Sequence, residues 1–211
     1  HFNNPDRVPI VHSYQPRAVI NYGKKLQEVF KKYPSDFGYS DGIDFSLSWK
    51  PPSYKCGEWK DKWGSVWVNK YEGLEGQVKD HPLADWRNLK DYRFPEPIGT
   101  FDFGLEKRRA QQYNSERFIW GGWHIFFERM HFLRGYEKLL LDLADIPKEL
   151  HILAEGIFDF NIKSIKEWIK LPVDGIAFAD DWGTQNSLMI SPQVWRDFFK
   201  PYYKQMISIV H

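Results

Sequence analysis

VDGIAFADDWGTQNSLMISPQVW, residues 173–195, decides the fold class of this chain. Residues 173–179 are mostly small or apolar and read as a strand. Asp180 and Asp181 follow at once, then Trp182, Gly183, Thr184 and Gln185. Ser191 and Pro192 mark the start of a helix: serine caps the first free N–H groups, and proline at the first position has none to lose. Strand, acidic loop and helix make one βα unit. Such units build parallel sheets, and barrels of them keep their active sites at the carboxyl ends of the strands. Asp180, Asp181 and Gln185 are therefore candidate catalytic residues, and Trp182 a candidate substrate contact. Side chains alternate along an extended backbone, so one Asp faces the barrel mouth and the other the helix layer or loop. The competing reading is that the second Asp only satisfies loop amides.

The same grammar appears upstream. Residues 118–123 (FIWGGW) read as a buried strand whose Gly121 and Gly122 permit a close approach of ligand or backbone. Three consecutive helices follow, over 126–135, 136–144 and 148–171. The last carries Leu150, Leu153, Ile157, Phe160, Ile165, Trp168 and Ile169 on one face. Trp123, His124 and Glu128 lie just past the strand and are candidate substrate-binding residues. Glu128 and His131 are three apart, a spacing that can ligate metal, but a single copy lacks the ligand count, so no metal is assigned to these residues.

Nearer the start, residues 8–13 (VPIVHS) read as a strand, with His12 at its end as another substrate-binding candidate. A helix is expected over 21–33 and a second strand over 45–49. GEWKDKWGSVWVNKYEG reads as a twisted hairpin within an insertion near 55–80. A short helix over 82–92 and a charged one over 102–113 complete an α/β pattern in one domain, residues 1–211.

Composition narrows the function classes. Lys plus Arg number 29 and Asp plus Glu 28, a formal charge of +1, which gives no broad attraction for nucleic acid or an anionic membrane. Ten Trp, eleven Tyr and sixteen Phe favour a large core or an aromatic-walled cleft. Cys56 is the sole cysteine, so no internal disulfide forms; a packed free thiol in a reducing compartment is expected. No secretory leader pattern and no long uncharged apolar run occurs, which points to the cytoplasm. Neither a phosphate loop, nor GxGxxG, nor a nucleophile-elbow serine is present.

PDRVPIV, EWKDKWGSVW, EGLEGQVKDHPLADW, FERMHFLRGYEKLLLDLA and, above all, VDGIAFADDWGTQNSLMISPQVWRDFFKPYYKQMI resemble the uroporphyrinogen decarboxylase superfamily. The resemblance spans nearly the whole chain and implies a (β/α)₈ TIM barrel, of which about five βα units fall within these residues. Decarboxylases of this family grip an acidic tetrapyrrole with an Arg-Gln-Ala-Gly-Arg motif after the first strand. Here that region reads His12-Ser13-Tyr14-Gln15-Pro16-Arg17. The resemblance thus implies the methyltransferase branch, which moves methyl groups between a methylated substrate or thiol and a corrinoid, a methylcobamide held by a corrinoid protein. Zinc, in the members that use it, would take ligands beyond His211, and His211 itself is not one. Uroporphyrinogen III decarboxylation is the second reading, and a non-catalytic corrinoid-binding protein on the same fold the third.

Overall fold

The computed structural model describes residues 6–38, 52–98, 100–113 and 116–211. The chain is mixed α/β. Two short helices, α1 (Pro16–Tyr22) and α2 (Lys24–Lys32), open it, parted by Gly23 at φ 47°. The helix expected from residue 21 therefore starts three residues later. Residues 8–13 form no strand: Ile10 exchanges backbone and side-chain hydrogen bonds with Asp36, and Val8 is 83% exposed. Without a paired neighbour among the described residues the apolar run has no ladder to join, which corrects the expectation of a first strand. The strand expected at 45–49 lies outside the described residues.

The hairpin region is a three-stranded antiparallel meander of β1 (Gly57–Lys60), β2 (Val66–Asn69) and β3 (Gln77–Asp80). Asp61 fixes its first turn, accepting hydrogen bonds from the amides of Trp63 and Ser65 at 2.9 Å and from Trp67 Nε1 at 3.0 Å. Cys56, just before β1, is exposed rather than packed, because no described residue covers the bend where the sheet begins. Residues 82–92 hold only a 3-10 turn (Trp86–Lys90), capped by Asp85. α3 spans Phe103–Tyr113, with the Asp102 carboxylate accepting from Leu105 N.

β4 (Trp120–His124) and β5 (Gly175–Phe178) form a parallel pair. The crossover between them is α4 (Phe127–Arg134), α5 (Tyr136–Asp145) and α6 (Lys148–Trp168). Leu150, Leu153, Ile157, Phe160, Ile165 and Trp168 of α6 are buried, as their helical spacing requires, whereas Ile169 falls at the helix end and is exposed. Phe118 sits before β4 and is 45% exposed, so the strand starts later than its apolar letters suggest. Gly121 is there for space: a β-carbon would lie 2.6 Å from the Trp168 ring. After β5 comes α7 (Pro192–Val194), capped by the Ser191 hydroxyl; a π-helical turn (Trp195–Phe199) then leads into α8 (Lys200–Val210). Every residue of β5 remains partly exposed, and among the described residues the two parallel strands do not close into a barrel.

Candidate functional site

A cleft of about 630 Å³ opens between the meander and the carboxyl end of β4. β4 delivers Trp123 and His124 to it, the first turn of α4 delivers Glu128 and Arg129, and the meander supplies Trp59, Trp63 and Glu75. Three of the residues singled out from sequence, Trp123, His124 and Glu128, therefore share one wall system.

Arg129 is committed within it. Its guanidinium lies 3.2 Å from Asp61 and stacks over Trp63 at 4.8 Å, with Phe132 on another side at 5.4 Å. Both partners of that ion pair are largely buried, so the charges cancel within the meander instead of facing a ligand. Glu128 is different. Desolvation, followed by the charges of Asp180, Asp181 and Glu75, pushes its carboxyl up to about 7, and Arg129 only partly offsets this. It is a carboxyl that exchanges its proton near neutrality, which is the property required of a general acid or base.

His124 is 3% exposed. Asn161 donates through Nδ2 to Ile125 O at 3.2 Å, so its Oδ1 is the acceptor that faces His124 Nδ1 at 3.3 Å. The ring proton consequently sits on Nδ1, and Nε2 keeps a lone pair with no hydrogen-bond partner among the described residues. Burial pushes this imidazole down to about 4, so it is neutral at pH 7. Gly122, at φ 69°, makes room for the ring: a β-carbon there would fall 2.4 Å from Nε2.

Asp180 lies behind this wall. Its two carboxylate oxygens accept from Phe126 N at 2.7 Å and Glu128 N at 2.9 Å, and the Tyr203 hydroxyl donates to one of them. It thus caps α4 across a chain separation of more than fifty residues and holds the turn carrying Glu128. Burial, followed by Asp180 and Glu128, pushes the Tyr203 phenol up, keeping it a donor. Asp181 is exposed and accepts from Gly183 N at 3.2 Å, a local loop contact. Gln185 is exposed in the same loop. Trp182 stacks on Phe127 at 4.8 Å and lines a separate apolar hollow with Leu188, Ile190 and Trp195. His12 is apart from all of these, stacked on Phe30 at 4.0 Å and hydrogen-bonded to Tyr33 O, in a third cavity.

His131, three residues after Glu128, turns instead to a groove with His81 and Tyr136, where burial pushes it down to about 4. Among the described residues no three His, Cys, Asp or Glu side chains come together to hold a metal ion. Asp61, Glu75, Arg129 and Asn161 were not singled out from sequence. Asn161 alone carried a signal, a polar residue on the apolar face of α6 beside Phe160 and Ser164, all three buried.

No family model matches the chain, and no curated protein matches it. Its structure is similar to that of a solved methyltransferase from Methanosarcina mazei, with TM-score 0.63 and 14% identity. That match covers 99% of this chain and 64% of the methyltransferase, so the chain spans a little under two thirds of that protein's length. The likeness is one of fold. No helix among the described residues is long and apolar enough to cross a membrane.

Proposed function

We propose that the chain is the greater part of a uroporphyrinogen decarboxylase-type (β/α)₈ barrel that transfers a methyl group between a small substrate and a corrinoid. The observation that carries the reading is the fold match to a methyltransferase over 99% of the chain. The partial exposure of every β5 residue agrees with it, since strands of a parallel barrel are normally covered on both faces.

In this reading the small substrate occupies the cleft, in contact with Trp123, His124 and Glu128. Glu128 holds or releases a proton as the methyl group moves, and Asp180 fixes its helix turn. Asp181, Gln185 and Trp182 form the adjoining loop, and His12 a more distant contact that would need other parts of the barrel to reach the site. The corrinoid supplies the methyl-carrying cobalt. Trp123, 66% exposed at the edge of the cleft, would offer the macrocycle a flat apolar surface. The zinc of related enzymes has no ligand set among the described residues, so no step is assigned to it.

Uroporphyrinogen decarboxylation suits the cleft less well. Each carboxylate of an acidic tetrapyrrole needs a cation or several donors once it is desolvated. The cleft's buried cation, Arg129, is already paired with Asp61, while Glu128 and Glu75 would repel the ligand. The full-length protein should perturb the visible spectrum of added methylcobalamin, further on addition of a thiol or a methylated substrate. Steady coproporphyrinogen formation from uroporphyrinogen, with no response to methylcobalamin, would replace this function with the decarboxylase one.

A further inference from the structure

The cleft is asymmetric in charge. Arg129 is neutralised by Asp61 and covered by the Trp63 and Phe132 rings. His124 is neutral, with an unshared pair on a buried Nε2 that no donor among the described residues meets. Glu128 and Glu75 line the same space, close enough for Glu75 to be among the charges acting on Glu128, and neither side chain accepts a hydrogen bond or ion pair from a described residue. The remaining wall holds the indoles of Trp59, backed by Trp67 at 5.6 Å and with a buried Nε1 that meets no acceptor among the described residues, and of the exposed Trp123, together with Lys62. Among the described residues, two carboxylates without an ion-pair partner, a buried imidazole acceptor and electron-rich rings share this cleft with Lys62, which has an interaction of its own. The excess of negative charge and the indole faces are complementary to a positive charge that carries apolar groups.

We infer that this cleft binds an alkylated ammonium ion, set against Trp59 and Trp123 with Glu75 and Glu128 as its counter-charges. This inference rests on the reading of the cleft as the substrate site, and it adds the class of ligand. An indole face attracts a cation through its quadrupole, and does so most strongly where water is excluded. N-methyl groups replace N–H donors with apolar surface that packs on the rings, so the carboxylates act through charge and require no hydrogen bond. An anionic ligand would meet the same carboxylates unscreened.

The test is a fluorescence titration of the full chain with tetramethylammonium chloride, with tert-butanol as the uncharged ligand of similar shape and sodium acetate as the anion. Tetramethylammonium should change the tryptophan emission saturably and bind about tenfold more tightly than tert-butanol, the ratio expected when a partly desolvated cation–π contact and a nearby carboxylate are both lost. Glu128→Gln should weaken it about fivefold, with an unchanged near-ultraviolet dichroism spectrum showing that the fold survives. Trp123→Leu should weaken it as well. Equal binding of tert-butanol, preferential binding of acetate, or full affinity in a folded Glu128→Gln variant would each overturn the inference. Cation binding in a protein that moves no methyl group would keep this inference and remove the proposed function. Methyl transfer by a protein indifferent to tetramethylammonium would do the reverse.

Discussion

At the scale of single residues, Glu128 and His124 have opposite protonation costs, and each predicts a pH window. Glu128 titrates at about 7 in the folded protein, above its ordinary value near 4.5, because burial and neighbouring carboxylates disfavour its charge. The folded state therefore holds a proton that the unfolded chain has lost, and stability falls as pH rises from about 4.5 through 7. Glu128→Gln removes that loss. Its melting temperature should match wild type near pH 4.5 and exceed it by pH 8; a constant difference across the range would show that the carboxyl is not perturbed. His124 and His131 are both pushed down to about 4, so here the unfolded chain binds the extra protons, and stability should also drop as pH falls from 6.5 toward 4. Sequence spacing put Trp123, His124 and Glu128 at the end of a strand, and all three line the cleft. Of the partners that set their chemistry, Asp180 and Asp181 were marked by the strand end they follow and Asn161 by its place on an apolar helix face, whereas Asp61 and Glu75 arrive from a distant meander with no local signal.

At the scale of elements, local grammar served the crossover and failed the chain's start. Helix α6 announces itself through long apolar periodicity, and Ser191-Pro192 the next helix start through capping chemistry, because both signals are local. Residues 8–13 have equally apolar letters but lack a described partner strand, and a strand is defined by its pairing. Asp180 illustrates a middle case. Its position after β5 marked it, yet its role as the cap of α4 depends on how β4 and β5 are paired. Asp180→Ala leaves two part-buried amides and the Tyr203 hydroxyl without their acceptor. The loss should be about 2–4 kcal/mol, summing a charge-assisted cap and the unsatisfied donors. Chemical denaturation at pH 7 measures it. A change below about 0.5 kcal/mol, the ordinary range for surface substitutions, would show that water replaces the carboxylate at no cost.

At the scale of the whole molecule, a parallel pair flanked by helices, with an antiparallel meander over its carboxyl end, positions one cleft where α/β folds place their ligands. The meander supplies Trp59 and Trp63 to the cleft and pairs Asp61 with Arg129. The alternation of strand and helix made the α/β class legible from the sequence. Among the described residues the parallel pair is extended only by an isolated parallel bridge between Phe37 and Phe118, so an eight-unit barrel stays part of the proposal. The central claim is methyl transfer with a corrinoid at this cleft, and it can be observed through the methyl carbon itself. The full-length protein, given methylcobalamin labelled with carbon-13 in its cobalt-bound methyl group together with a thiol or amine acceptor, should show that resonance decline while a methylated acceptor grows in. Glu128→Gln should slow the exchange at least about tenfold, the lower end of what loss of a positioned acid–base group costs. A labelled resonance that stays on cobalt, with every acceptor and at an unchanged rate in both proteins, would contradict the account.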